Sequence, residues 1–144
     1  LQTNDTIMTE VYIAQEQSGS YDDFSSKNIA VYLDKQKAEN FCLFKNEAIR
    51  LTLQLQEQIP VSEALIEPDR PSNWADEKFK AWVEETTILF EAREKYSIEQ
   101  MKILLEKSSY SEEMKKEIMR LFNLGSWSYE NNNKYCICVL PITE

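Results

Sequence analysis

The amino-acid sequence predicts an α+β fold, in which a small antiparallel sheet from N- and C-terminal hairpins packs against about four helices. Two segments near the N-terminus alternate in side-chain character with a period of two, as strands do. The middle of the chain repeats apolar residues at intervals of three and four, as helices do. The C-terminal segment returns to alternation, so the predicted order is two strands, four helices and two strands.

The two N-terminal strands are predicted at Glu10–Gln15 and Asn28–Leu33. Both are rich in β-branched and aromatic residues, which suit a pleated, half-buried surface. The connection between them, Ser18–Lys27, is rich in turn residues and too long for a two-residue hairpin. We therefore expect a loose loop in which Gly19 supplies any position of positive φ.

The first helix is long and amphipathic. Asp34 occupies an N-cap position, and the helix is expected to end by Gln58 because Pro60 cannot continue it. Its apolar stripe consists of Ala38, Phe41, Phe44, Ala48, Leu51 and Leu55. Such a stripe needs a cover, and the sheet offers one. Residues 59–71 contain three prolines and form a connection. The residues expected to attach this connection to the core are Val61, Leu65 and Ile66.

Three further helices are predicted before the C-terminal hairpin. The second helix begins at Ser72 or Asn73 and carries the heaviest aromatic stripe of the chain. That stripe consists of Ala75, Phe79, Trp82, Val83, Thr86, Leu89 and Phe90. The third and fourth helices are shorter and begin at capping boxes that open with Ser97 and Ser109. The last strand is predicted at Tyr135–Leu140, after a turn of three consecutive asparagines.

The N-terminal part of the chain carries a family resemblance. The run E-V-Y-I, followed by G-S-Y-D-D, I-A-V-Y and D-K-Q-K-A-E-N-F, resembles small uncharacterised domains encoded by phages and mobile elements. These domains share a strand, an acidic turn, a second strand, and a helix that opens with an Ala-Glu pair before an aromatic residue. The resemblance covers residues 9–44, and its motifs are structural. It implies an intracellular phage-type accessory protein and implies no activity.

Length and composition predict the class of protein. The 144 residues are expected to form a single domain, 1–144, with residues 1–8 as a disordered tail or a remnant of cloning. No stretch approaches the roughly 18 apolar residues of a membrane span, and no leader peptide is recognised. Three cysteines, an odd number, fit a reducing compartment better than a disulfide framework. We therefore expect a cytoplasmic protein that does not contact a membrane.

The sequence offers little catalytic chemistry. It contains no histidine, which removes the familiar nucleophile–histidine arrangements and most metal sites. Cys136 and Cys138 face one side of a strand, and with Cys42 they make three zinc ligands at most, so we expect them in the core. Two carboxylates can hydrolyse glycosides, but nothing selects one pair among 25 acidic residues. We predict no enzymatic activity, no cofactor and no metal.

The net charge of −9 favours a basic protein partner and disfavours direct nucleic-acid binding, which depends on Lys and Arg. The surplus lies in residues 1–33, with five acids and one base, and in residues 60–96, with nine acids and five bases. In the first region, aromatic residues beside two aspartates suit a contact loop; in the second, glutamates on a polar helix face can imitate DNA phosphates. A solvated turn and a solubilising helix face are the simpler interpretations. The predicted partner-binding residues are Tyr21, Asp22, Asp23, Asp76, Glu77, Glu84, Glu85 and Glu91.

Three functions stay open at this point. The first is a non-catalytic acidic interaction module, phage-encoded, that inhibits a basic nucleic-acid-binding host protein as an anti-CRISPR protein or DNA mimic does. The second is a structural or accessory protein that forms homo-oligomers through a strand edge or its long helices. The third is a domain that binds a small molecule between sheet and helices, in a pocket lined by aromatic residues such as Trp82 and Tyr135.

Overall fold

The computed structural model describes residues 8–19, 25–73, 75, 77–124 and 134–143. Its elements are β1 (Met8–Ser18), β2 (Ser25–Tyr32), α1 (Lys35–Glu57), a 3-10 turn (Glu63–Leu65), α2 (Glu77–Lys107), α3 (Glu112–Leu124) and β3 (Lys134–Thr143). The predicted α+β class is confirmed. The described chain contains three α-helices, however, where about four were expected.

The chain divides into two compact units. The first unit consists of Leu1–Gln54 and Ser111–Glu144, and the second of Leu55–Tyr110. The expected single domain over residues 1–144 stays a prediction. Of the predicted tail, Met8 already belongs to β1, while residues 1–7 lie outside the described part of the chain.

The three strands form one antiparallel sheet in the order β2-β1-β3. β1 is the central strand and pairs with β3 from Met8 opposite Thr143 to Gln17 opposite Lys134. The C-terminal strand thus completes the sheet begun by the N-terminal hairpin, as predicted. Gly19 has a φ of 86°, which confirms its expected role after β1. The strand predicted before the asparagine turn lies outside the described residues.

Helix α1 covers the face of the sheet that carries tyrosine and alanine. Residues opposite one another on neighbouring strands share a face. Tyr12, Ala14 and Glu16 are two residues apart on β1, so their side chains lie on one face. Tyr32 pairs with Tyr12 and Tyr135 pairs with Glu16, so both of these tyrosines lie on the same face as Ala14. Phe41 of α1 packs against both tyrosines, with ring centroids 5.9 Å from Tyr32 and 6.1 Å from Tyr135. Ala14 on this face is fully buried. Helix α1 therefore covers the face that carries Ala14 and the tyrosines.

The opposite face of the sheet carries the aliphatic residues, and we call it the open face. The register places on it Val11, Ile13, Val31, Cys138, Leu140 and Ile142. The two members on the central strand are buried, whereas Val31, Leu140 and Ile142 on the outer strands are exposed. The exposure of these outer side chains shows that no described helix packs closely over them.

Helix α1 follows its sequence signals closely. The Asp34 carboxylate accepts hydrogen bonds from the backbone N–H of Gln36 (2.8 Å) and of Lys37 (3.3 Å), so the predicted N-cap is confirmed. The helix ends at Glu57, just before Pro60, as expected. The buried members of its apolar stripe are Ala38, Ala48, Leu51 and Leu55.

The third predicted helix is not a separate element. Helix α2 is 31 residues long, about 46 Å, and continues through Ser97. Residues 77–107 contain no Gly or Pro, and a capping residue does not end a helix that nothing else interrupts. The next helix, α3, is capped by Ser111, whose Oγ accepts a hydrogen bond from the backbone N–H of Met114 (3.1 Å). The predicted cap at Ser109 was wrong. Helix α3 begins at Glu112, and the N-cap is the residue directly before it, Ser111.

Side chains of α2 hold the proline-rich connection through its carbonyl groups. This differs from the expected apolar attachment, because Val61 and Ile66 are both exposed. An extended, proline-containing segment has few backbone bonds of its own, so its carbonyls take donors from elsewhere. The three hydrogen bonds run from Tyr96 Oη to Pro60 O (2.9 Å), from Arg93 Nε to Leu65 O (2.9 Å) and from Trp82 Nε1 to Pro68 O (3.1 Å).

Candidate functional site

The acidic side of α2 is the part of the predicted partner-binding set that the structure describes. We call it the acidic face and define it by Glu77, Glu84, Glu85 and Glu91, all of which are exposed. Glu77, Glu84 and Glu91 recur every seven residues, so they follow one line along the helix at steps of about 10.5 Å. Glu85 lies about 100° around the axis from Glu84, and Lys80 lies among them on the same side.

None of these four glutamates forms an ion pair with a described residue. In the first unit, by contrast, four carboxylates are paired with neighbouring bases. The paired acids there are Glu39, Glu47, Glu112 and Glu117. The carboxylates of the acidic face therefore face solvent without an ion-pair partner from the described chain.

Two arginines of the second unit are engaged with uncharged groups. The Arg70 guanidinium lies 5.5 Å from the ring centroid of Phe79 and 5.7 Å from that of Trp82, a cation–π arrangement. Arg93 donates from Nε to the carbonyl of Leu65. The second unit carries twelve acidic and seven basic residues, a net charge of −5, and these two bases do not neutralise the acidic face.

The other predicted binding residues lie outside the described residues. They are Tyr21, Asp22, Asp23 and Asp76. The acidic contact loop therefore stays a prediction, as does the extension of the acidic face to Asp76.

A cluster of charged groups in the first unit was not predicted. Glu117 of α3 accepts from Lys45 of α1 (2.9 Å) and from both Nε and an η nitrogen of Arg120 (2.8 and 2.7 Å). The side chain of Glu117 is 8% exposed and that of Lys45 18%. Nearby on the sheet, the Tyr135 hydroxyl donates to Glu16 (2.9 Å). The sequence signal was available, because Glu117 directly precedes Ile118 within the apolar stripe of α3.

Glu117, Arg120 and Tyr135 of this cluster keep their ordinary ionisation states at neutral pH. Burial by itself raises the pKa of Glu117, but the hydrogen bonds from Arg120 and Lys45 outweigh it and hold that pKa below 4.5. The hydrogen bond to Glu117 raises the pKa of the Arg120 guanidinium, and burial raises the pKa of Tyr135. None of these shifts moves a group toward pH 7, so the cluster acts as a structural link between α1 and α3.

The lowered pKa of Glu117 predicts a loss of stability in acid. The native state holds this carboxyl unprotonated more strongly than the unfolded chain does, so its contribution is present above the ordinary pKa of 4.5. The contribution is lost as the pH falls through the lowered folded-state pKa. We expect Glu117→Gln to flatten the pH profile of the unfolding free energy between about pH 3 and pH 6, measured by urea denaturation. Glu113→Gln, at an exposed site on the same helix, should leave the profile unchanged; parallel profiles for wild type and Glu117→Gln would contradict the prediction.

A cleft of about 320 Å³ lies between α1 and β3 in the first unit. Its lining residues are Glu39, Cys42, Leu43, Asn46, Cys136 and Ile137. The Asn46 amide is already used, since it donates to the carbonyl of Tyr135 (2.8 Å) and accepts from its backbone N–H (2.7 Å). Burial raises the pKa of the Cys42 thiol, which keeps it in the less reactive protonated form. The cleft contains neither of the aromatic residues named for a ligand pocket, and the small-molecule function stays a prediction.

Two classes of site find no support in the described part of the chain. No three His, Cys, Asp or Glu side chains among the described residues come together as a group that fits a metal ion. Within the same residues, no helix has an apolar stretch long enough to cross a bilayer.

Comparison with known proteins identifies no relative. No protein-family model, no curated protein and no solved structure matches this chain. The resemblance of residues 9–44 to phage and mobile-element domains stays a prediction, and the function is inferred from the chemistry of the chain itself.

Proposed function

We propose that the protein is a non-catalytic interaction module that binds a basic partner protein through the acidic face of α2. One observation carries the proposal: four exposed glutamates on one helix form no ion pair with the described chain. Unpaired surface carboxylates attract a cationic partner over a distance and orient it during encounter.

A groove that ordinarily binds nucleic acid is the partner surface that this face fits. Three of the carboxylates repeat along a rigid helix at steps of about 10.5 Å, so they present negative charge at regular intervals. A groove lined with Lys and Arg recognises phosphates mainly by such charge. An acidic helix bound in that groove excludes the nucleic acid and so inhibits the partner protein. A phage-encoded inhibitor of a host nucleic-acid enzyme, such as a CRISPR effector, is the setting that the sequence resemblance favours.

Binding of this kind has a characteristic salt dependence. At physiological ionic strength the Debye length is about 8 Å, which is shorter than the step of about 10.5 Å between successive glutamates. Each carboxylate therefore acts nearly independently, and the attraction to the partner weakens as salt is added.

The proposal is tested by capture of host proteins on the immobilised, full-length chain. The loaded support is washed at about 50 mM and then about 500 mM salt, and eluted proteins are identified by mass spectrometry. A parallel sample receives duplex DNA as a competitor at low salt. We expect a basic nucleic-acid-binding protein that is released both by salt and by DNA. Retention of no basic protein at low salt, or retention that duplex DNA does not change, contradicts the proposal.

The double substitution Glu84→Lys with Glu85→Lys is expected to weaken binding of the captured partner by about tenfold or more. Two attractive charges become repulsive, and both side chains are exposed, so the fold should be preserved. Isothermal titration against the purified partner gives the affinity, and circular dichroism checks folding.

The matched control is Glu112→Lys with Glu113→Lys. These exposed glutamates are adjacent, as Glu84 and Glu85 are, but they lie on α3, and the substitution makes the same change in net charge. Equal losses in the two variants would assign the effect to net charge alone. Full affinity in the variant at positions 84 and 85 would remove the acidic face as the binding surface.

A further inference from the structure

The open face of the sheet is an apolar surface without acidic side chains on a strongly acidic chain. Its six defining residues include no charged side chain, and the face continues through Thr9, Gln15 and Gln17 on β1 to the exposed Lys134 at the start of β3. Three aliphatic side chains on the outer strands are exposed, although apolar residues in a sheet face normally pack against another layer. Within the described part of the chain, α1 covers only the tyrosine and alanine face, and the outer positions of the open face remain exposed.

The area of the open face is close to what a specific interface needs. The strands lie about 4.8 Å apart, with β1 and β3 paired over ten residues of about 3.3 Å each and β2 over seven, so they span roughly 430 Å² in projection. The accessible surface of a corrugated side-chain layer is larger than its projection. Two such surfaces together bury roughly 900 Å² or more, the size of a weak interface between two proteins.

We propose that two copies of this chain associate through their open faces, with the two sheets packed face to face. An aliphatic surface is complementary to itself, as a twofold interface requires. Two chains of charge −9 repel one another, so their contact has to exclude acidic side chains, and none of the described residues of this face is acidic. A basic partner, in contrast, is drawn to the acidic face of α2. The dimer does not depend on that proposed binding.

The free edge of β3 is blocked, which favours association through the face. The side-chain amide of Asn46 pairs with both the N–H and the carbonyl of Tyr135, as a neighbouring strand otherwise does. Pro141, further along β3, has no N–H to donate. These two features protect the edge against strand addition.

The first test is sedimentation equilibrium of the full chain from about 1 to about 200 µM, at low and at high salt. We expect a monomer–dimer equilibrium with a micromolar Kd that becomes tighter at high salt, because salt screens the repulsion between the acidic chains. This direction is opposite to that expected for the basic partner, so the two proposals succeed or fail separately. A monomer at every concentration and both salt levels overturns the dimer.

The second test uses a matched pair of neighbouring substitutions, Leu140→Glu and Val139→Glu. Both residues are 46% exposed, and strand alternation places them on opposite faces of the sheet. Leu140→Glu is expected to weaken the dimer about tenfold or more, because it introduces an unpaired charge into the contact, whereas Val139→Glu leaves the Kd within about twofold. Val31→Glu, on β2, repeats the test at a second exposed position and serves if Leu140→Glu does not fold by circular dichroism.

The outcomes separate the face from the edges. Equal effects of the charge at positions 139 and 140 overturn the proposal. A dimer that tolerates Leu140→Glu and Ile142→Glu, both on β3, but is lost with Val31→Glu assigns association to the β2 edge and likewise overturns it.

Discussion

Replacing Glu117 by Ala is expected to lower the free energy of unfolding by about 2–4 kcal/mol. The substitution leaves the ammonium group of Lys45 with little access to water and without its carboxylate partner. Arg120 also loses two hydrogen bonds, but its side chain is 48% exposed and can be solvated, so it adds less. Urea denaturation at pH 7 measures the change.

A double substitution distinguishes the loss of the Lys45–Glu117 ion pair from the loss of the Glu117 carboxylate alone. Replacing both Glu117 by Leu and Lys45 by Met removes the charges together, and an apolar pair of similar volume should recover most of the lost stability. Glu113→Ala, at an exposed position on the same helix, should change the free energy of unfolding by less than about 0.5 kcal/mol. A loss below about 1 kcal/mol for Glu117→Ala would show that this cluster contributes little to the packing of α1 and α3.

Elements whose signals are local could be predicted from the sequence. The N-cap at Asp34 and the positive φ at Gly19 depend on neighbouring residues alone, and both are found where expected. The apolar stripe of α1 was also readable, because its period does not depend on which element covers it.

The choice of sheet face could not be predicted in the same way. Both faces of the N-terminal hairpin read as apolar, one through Val11 and Ile13 and the other through Tyr12 and Ala14. The structure places α1 on the second face, where the small side chain of Ala14 is fully buried and Phe41 fits between two tyrosines. That choice depends on shape complementarity between distant segments, which no local pattern records.

The continuity of α2 shows how a local motif can mislead. Ser97 and Gln100 have the spacing of a capping box, yet the helix runs through both. A capping box stabilises a helix start but does not create one, and Ser costs little inside a helix. The aromatic stripe of α2 was also read too broadly, since Phe90 and Val83 are exposed.

The candidate binding surface was predictable in part. Helical spacing alone places Glu77, Glu84 and Glu91 on one side of α2, and the structure shows them exposed. Their lack of ion-pair partners was not predictable, because helical spacing also brings Lys80 near Glu84 and Lys95 near Glu91. The two arginines nearby are also engaged elsewhere: Arg70 lies over the ring of Phe79, and Arg93 donates to the carbonyl of Leu65. Both contacts depend on the path of the connection.

Replacing Trp82 by Ala is expected to lower the free energy of unfolding by about 2–3 kcal/mol and to expose the connection at residues 59–71. The half-buried indole packs on Phe79 (5.4 Å between ring centroids), receives the Arg70 guanidinium and donates to the carbonyl of Pro68. Its removal takes away the apolar contact and one of the three hydrogen bonds that hold the connection. Urea denaturation gives the energy, and limited proteolysis with mass spectrometry locates new cleavage sites.

The position of the cleavage decides whether the connection is held from α2. Because Tyr96 and Arg93 keep their bonds to the first half of the connection, new cleavage in Trp82→Ala should be confined to its second half, near Pro68. Phe90→Ala is the matched control, an aromatic-to-alanine change at an exposed site on the same helix, and it should leave the cleavage pattern unchanged. Cleavage spread evenly along residues 59–71, or equal in both variants, would show that the hydrogen bonds to the carbonyls do not hold the connection in place. Cleavage near Pro68 alone would show that each donor on α2 fixes its own stretch of the chain, as a segment without internal hydrogen bonds requires.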